Sequence, residues 1–220
     1  MKLDLHIHSS YSRDASASPD EILAACKNVG LDGCAITDHN AVEGSFRASS
    51  MGKHHGLIVV RGVEVSTIDG HILAYGVRES IPKRLSIEET IEKIVAAGGV
   101  PVAAHPKRFP SGIGLDAASK NKFKGIEVLN GGNSRWNNMA ARKVAEAMKV
   151  AKIGGSDAHK ISEIGRSYTI IENVSTEDDV LSAISSAATR VDGRSRTAVE
   201  GMVYAAETLV EWLRGGLKRQ

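Results

Sequence analysis

Several shortages narrow the possibilities for this chain of 220 residues before any motif is considered. It has only two cysteines, Cys26 and Cys34, which fall in an expected helix and an expected strand. Two such thiols give no disulfide framework and fit a reducing compartment. An excess of one charge is also missing: 28 Lys and Arg stand against 26 Asp and Glu, for a net charge of +2. That balance creates no global field of the kind that coats nucleic acid or a membrane surface. No apolar run reaches membrane-spanning length, and the N-terminus lacks the charged-then-apolar pattern of a secretion signal. The expectation is therefore a soluble, cytoplasmic protein with no membrane partner. Low-complexity segments, internal repeats and linkers are absent too, so one domain over 1–220 is expected. With 42% hydrophobic residues, the chain can bury a sizeable core.

What is present is an alternation of short apolar strands and amphipathic helices. Leu3 to His8 alternates apolar and polar residues, which reads as a strand. Pro19 to Val29 reads as a helix, with Ser18 as N-cap, Pro19 at the first helical position and Glu21 completing a capping box. Further strands are expected at Gly33–Thr37, Leu57–Val65, His71–Val77, Val100–Ala104, Gly125–Leu129, Ala151–Gly154 and Tyr168–Ile171. Helices are expected at Val42–Lys53, Ser86–Ala97, Asn137–Met148 and Thr176–Ala187. Repeated β-α units of this kind predict an α/β fold with a mostly parallel sheet. Closed into a barrel, that sheet would place chemistry at the C-terminal ends of its strands. From about 197 to 214 a last helix is expected, with Val199, Met202, Val203, Ala206, Leu209, Val210 and Leu213 in one apolar stripe. It would pack on the barrel or on a second subunit.

Ligand-type residues collect at those strand ends. His6 and His8 close the first strand, and Asp14 follows in the next loop. Asp38 and His39 close the second strand, and Glu64 lies near the end of the third. His71 follows the turn Asp69-Gly70, His105 closes the strand ending Ala-Ala-His, and Asp157 and His159 close Gly-Gly-Ser-Asp-Ala-His. Six of the eight histidines thus lie at strand ends, and His54 and His55 are left for a helix surface. Imidazole and carboxylate ligands suit zinc, manganese and iron, and a set this large exceeds the need of one ion. Burying so many titratable groups without metal would be costly. Two or three divalent transition metals are the expected cofactors. Asn130 ends a strand as well.

With those residues in order, the chain resembles the polymerase-and-histidinol-phosphatase (PHP) family of metal-dependent phosphoesterases. The matching signatures are His6-Ile-His8, Thr37-Asp38-His39, Glu64, His71, His105-Pro106 and Ser156-Asp157-Ala158-His159. They run in the family's order up to about Tyr168. The resemblance implies a distorted (β/α)7 barrel with up to three metals at the strand C-termini. By the same resemblance His6, His8, Glu64 and Asp157 hold one metal, and Glu64 bridges to a second completed by His71 and His105. A third takes Asp14, His39 and His159, while Asp38 orients a ligand or water. Glu64, Asp157, His159 and Asp38 are the residues on which catalysis is expected to depend.

Hydrolysis of a phosphate ester is the reaction such a site would serve. Lys107 and Arg108 follow His105-Pro106, Arg135 follows the loop opened by Asn130, and Arg166 lies beyond His159. These four are the candidates to grip a phosphate. Only one capped helix, Ser86–Ala97, separates the strand of His71 from that of His105, so the site is expected to be open. A nucleotide, a sugar phosphate or an oligonucleotide end would then fit as substrate. A histidinol-phosphate phosphatase is the alternative enzyme. A barrel that has lost catalysis and serves as a scaffold is the alternative of another class; it should have shed its ligands and turned strongly basic, and this chain has done neither.

Overall fold

A computed structural model describes residues 1–204. The chain runs β1 (Lys2–Ile7), α1 (Pro19–Asn28), β2 (Gly33–Ile36), α2 (Glu43–His55), β3 (Ile58–Ser66), β4 (His71–Tyr75), α3 (Ile87–Ala96), β5 (Val100–Ala103), α4 (Leu115–Lys120), β6 (Gly125–Asn130), α5 (Arg135–Met148), β7 (Ala151–Gly155), a 3-10 turn (Ile161–Glu163), β8 (Ser167–Ile170), α6 (Glu177–Ser185) and β9 (Arg190–Gly193). Residues 198–204 are helical, and the rest of the expected C-terminal helix lies outside the described residues. Within the described part Val199, Met202 and Val203 are exposed.

Local chemistry explains where the helices begin. Ser18, Ser86 and Thr176 each accept from a backbone N–H three residues on, and Glu21, Glu89 and Asp179 reach back to close a capping box. The sequence expectations miss α4 and β9, both too short to show a period. They also expect a mostly parallel sheet, which the structure corrects. The strands form one sheet in the order β7-β6-β5-β4-β3-β2-β1-β8-β9. Pairs β1–β2, β2–β3, β5–β6 and β6–β7 are parallel, but β4 runs antiparallel to both its neighbours, and β8 to both of its own. The physical reason is the short Thr67–Gly70 turn, too brief for the crossover that a parallel neighbour requires. His71 therefore opens β4 rather than closing a strand, yet stays at the same end of the sheet because β4 is reversed.

The sheet curls until β7 meets β1 and β8, making a nearly closed barrel. The seam is made by donors and acceptors beyond the strand ladder. Asp157 N–H donates to the His6 carbonyl at 2.7 Å, and His8 N–H donates to the Ala158 carbonyl at 2.9 Å. Gly154 N–H donates to the Thr169 hydroxyl at 2.8 Å, and the Ser167 hydroxyl donates to the Gly155 carbonyl at 2.7 Å. Two glycines permit this approach: a Cβ on Gly155 would lie 2.4 Å from the His6 Cβ, and one on Gly154 would lie 2.5 Å from the Tyr168 carbonyl oxygen.

The interior is filled by Leu3, Leu5, Val60, Leu73, Tyr75, Val102 and Ile153, all buried. Burying each large side chain contributes roughly 1.5–3 kcal/mol. The Tyr75 hydroxyl donates to the Leu5 carbonyl at 2.8 Å, so its polar end is satisfied inside the barrel. Helix α6 packs on β3, β5 and β7, strands that are not adjacent, and so lies across one mouth. Its Leu181 sits against Gly76, at the end of β4 opposite His71. One mouth is thus plugged by apolar side chains, and the other is left for ligands.

Candidate metal centre

The open mouth gathers side chains from strands along the whole chain. On β1 the two-residue spacing puts His6 and His8 on one face, with their Nε2 atoms 3.2 Å apart. Glu64, on β3, is fixed by its backbone, since its N–H donates to the Asp38 carbonyl at 3.1 Å and its carbonyl accepts from Asn40 at 2.9 Å. His105 and Asp157 follow closely on β5 and β7 with positive φ of 25° and 55°, a strained backbone of the kind that collects at functional sites.

Two carboxylate oxygens lie close to both of these imidazole nitrogens, His6 Nε2 and His8 Nε2. His6 Nε2 lies 3.5 Å from Glu64 Oε2 and 3.4 Å from Asp157 Oδ1; His8 Nε2 lies 3.4 Å and 3.3 Å from the same two oxygens. Ligands at roughly 2.0–2.2 Å around one tetrahedral ion are separated by about 3.3–3.6 Å. The other Glu64 oxygen, Oε1, is 3.0 Å from His71 Nδ1 and 2.9 Å from His105 Nε2. A third group lies outward, where Asp14 Oδ2 is 3.5 Å from His39 Nε2 and 3.2 Å from His159 Nε2. His39 Nδ1 in turn faces Glu64 Oε2 at 3.0 Å.

Unfilled valence points the same way. Among the described residues, the buried His39 Nδ1, His105 Nδ1 and Glu64 Oε2 have no hydrogen-bond partner. Two imidazole nitrogens facing each other also need a proton or a cation between them. Burial opposes the charge on His6, but Asp157, Glu127 and Glu64 outweigh it and raise its pKa well above the ordinary value. Burial pushes His8 down to about 4. Burial likewise opposes ionisation of Glu64, yet His6 and His71 hold its carboxyl well below the usual range. Burial works against charged His39 too, while the nearby carboxylates of Asp14 and Glu64 pull it up to about 10. Nitrogen and carboxylate donors in this arrangement fit divalent transition ions.

Of the other candidates, Asp38 belongs to none of the ligand groups. Its oxygens accept from the Ser9 N–H at 2.6 Å and the Ser9 hydroxyl at 2.7 Å, which fixes the loop after β1. Arg108 donates to Asp157 Oδ2, to Asn130 Oδ1 at 2.6 Å and to Asn133 Oδ1 at 2.8 Å. It and exposed Lys107 line a depression of about 560 Å³ that Asp157 and His159 also line. Arg135 and Arg166 do not line it. Arg135 faces a neighbouring depression, and Arg166 turns toward Glu163 and Glu200 at 3.8 and 3.9 Å.

Sequence reasoning missed three contributors. Glu127, buried in β6, lies 3.0 Å from His6 Nδ1 and accepts from His105 N–H at 2.8 Å and Asn130 Nδ2 at 2.9 Å. A carboxylate inside the apolar run Gly-Ile-Glu-Val-Leu-Asn was the signal available for it. Ser12 accepts from His39 N–H at 2.9 Å and contacts His8 Nδ1 at 3.1 Å. Arg196 reaches the depression from beyond the last strand, where no motif announced it.

Barrel and donor set together define a protein of the metal-centred α/β-barrel type. A family model for the PHP domain matches residues 4–109, and a model for a PHP-associated region matches residues 135–189. The chain belongs to the PHP family of metal-dependent phosphoesterases. It is 37% identical over 161 residues to an uncharacterised protein of Methanocaldococcus jannaschii, covering 67% of this chain and 94% of the relative. Over 85 residues it is 36% identical to a phosphoribosyl 1,2-cyclic phosphate 1,2-diphosphodiesterase of Eggerthella lenta, covering 36% of this chain and 32% of that enzyme. Its fold matches a two-domain protein of Bacteroides vulgatus containing a predicted PHP-like metal-dependent phosphoesterase, at a TM-score of 0.74 and 18% identity, over 88% of this chain and 65% of the other. No helix among the described residues is long and apolar enough to cross a membrane.

Proposed function

We propose that this protein hydrolyses phosphate esters of small phosphorylated molecules or nucleotides, using two or three divalent ions. The observation that carries this reading is Glu64, whose two oxygens face two different sets of histidines within 3.5 Å. In this reading His6, His8, Glu64 and Asp157 hold one ion, Glu64, His71 and His105 a second, and Asp14, His39 and His159 a third. Bound there, such ions supply Lewis acidity and make water acidic enough to ionise near neutral pH.

The chain's own groups do the rest. Arg108 is committed to Asp157 and holds that carboxylate's direction, so it acts chiefly on the ligand rather than on substrate. Lys107 and Arg196, on the wall of the depression, pair with the outer oxygens of the phosphate. Glu127 keeps His6 turned so that Nε2 faces the ligand cluster.

Purified protein is expected to contain more than one equivalent of zinc, manganese or iron. Glu64→Gln and Asp157→Asn are expected to lower hydrolysis of an aryl phosphate at least a hundredfold while leaving a cooperative unfolding transition. A metal-stripped sample that hydrolyses at the full rate would sink the proposal.

A further inference from the structure

Asn130 closes β6 at the same mouth as the histidines, yet it stands outside every ligand group. It is wholly buried, and both polar atoms of its side chain are fully engaged. The amide nitrogen donates to Glu127 Oε2 at 2.9 Å and to Asp157 Oδ2 at 3.1 Å. The amide oxygen accepts from Arg108 Nη2 at 2.6 Å and from the Gly132 N–H at 2.8 Å. These partners fix which end of the amide is which. The reverse placement would set its N–H groups against a guanidinium and its oxygen against two carboxylates. The main chain is held as well: Asn130 N–H donates to Asn138 Oδ1 at 3.1 Å, and the Asn138 amide donates back to the Asn130 carbonyl at 3.0 Å.

The position calls for two donors on one side and an acceptor on the other. An ionised aspartate of the same size has no donor for the carboxylates, and a cationic side chain has no acceptor for Arg108; an amide supplies both. The consequence falls on Asp157. Its Oδ2 is taken by Asn130 and Arg108, while Oδ1 faces His6 Nε2 and His8 Nε2 at 3.4 and 3.3 Å. Arg108 is held in turn by Asn130 and by Asn133 Oδ1 at 2.8 Å. Gly132 leaves room for it, since a Cβ there would stand 2.7 Å from Arg108 Nη2. On its other side Asn130 steadies Glu127, whose Oε1 lies 3.0 Å from His6 Nδ1.

We propose that Asn130 is a positioning residue of the metal centre, whose amide turns a single Asp157 oxygen toward His6 and His8 and keeps Glu127 on His6. The inference rests on the phosphoesterase reading and deepens it: ion affinity at that site depends on a neutral side chain that is not itself a ligand. Asn130 acts through Asp157 on one side and through Glu127 on the other. Asn138 supports it from α5 by fixing its backbone, so the helix after β6 contributes to the same alignment.

Two neutral variants of the full chain separate positioning from space-filling. Asn130→Leu keeps the size and loses every side-chain hydrogen bond; Asn130→Ser loses volume and keeps a hydroxyl that both donates and accepts. Each is stripped with chelator, checked for a cooperative urea transition and titrated calorimetrically with zinc, so that hydrolysis plays no part. Positioning predicts a zinc affinity roughly 10–100-fold lower in Asn130→Leu, with a smaller loss in Asn130→Ser. Packing alone predicts the opposite rank. Affinity unchanged in both variants, or a larger loss in Asn130→Ser than in Asn130→Leu, overturns the role. Where neither variant unfolds cooperatively, Asn133→Ala takes their place, because it removes one contact to Arg108 and leaves the carboxylates untouched. A fall in zinc affinity is expected there too, and an unchanged affinity overturns the role. Should zinc binding follow the expected rank while no phosphate ester is turned over, the positioning role stands and the catalytic reading falls. Should zinc binding ignore Asn130 while hydrolysis still requires metal, the catalytic reading stands and the positioning role falls.

Discussion

An imidazole has two nitrogens, and when one faces an ion the partner of the other fixes the tautomer and the ring plane. For His6 that partner is Glu127, 3.0 Å from Nδ1. The same carboxylate accepts from the His105 backbone N–H, so one side chain on β6 steadies ligands from β1 and β5. Glu127→Gln keeps the size but removes the charge that raises the basicity of His6. Removal of such an outer partner typically costs about 10–100-fold in metal affinity. Calorimetric titration of metal-stripped protein with zinc should show that loss, and an unchanged affinity would remove Glu127 from the centre. At this scale the sequence was most readable where spacing decides direction. His6 and His8 share a face because strands alternate, and that can be read from two letters. It was least readable for arginines, whose long side chains can turn several ways: Arg166 turns to Glu163, three residues back, and Arg108 to Asp157, 49 residues on.

Among the elements, β7 carries a disproportionate share of the site. Its last residue, Gly155, lies so close to β1 that an added methyl would stand 2.4 Å from the His6 Cβ and 2.7 Å from the His6 backbone nitrogen. Neither neighbour is the free end of a flexible side chain, so β1 itself would have to move. Gly155→Ala is therefore expected to destabilise the protein by about 1–3 kcal/mol, the usual cost of overpacking. It should weaken metal binding as well, because His6 rides on the displaced backbone. Urea unfolding with and without zinc separates the two effects, and an unperturbed variant would mean that the seam is looser than this close approach implies. Strand positions were legible to within one or two residues because apolar runs ending in Gly, Asp or Asn mark them. Strand direction was not. The Asp69-Gly70 turn was visible in the sequence, but the β-α rhythm around it favoured a parallel reading that the tight β3–β4 connection overrides.

At the scale of the whole molecule, the two mouths of the barrel have opposite roles. One is closed by α6, with Val180 and Ile184 buried against the interior cluster, and it stabilises the fold whatever ions are present. The other packs six histidines together with Asp14, Glu64 and Asp157, and without cations their mutual desolvation works against folding. An ion that binds only the folded chain adds about 2.7 kcal/mol at a hundredfold excess over its dissociation constant. For a chain of this length each kcal/mol moves the melting temperature by roughly 2–4 °C, so removing one such ion should lower it by about 5–10 °C. Scanning calorimetry before and after chelation measures this, and refilling with manganese or zinc should restore the transition. Because the apolar mouth is untouched by chelator, the stripped protein should still unfold in one cooperative step. A melting temperature indifferent to chelator would mean that the histidine mouth holds itself together without metal.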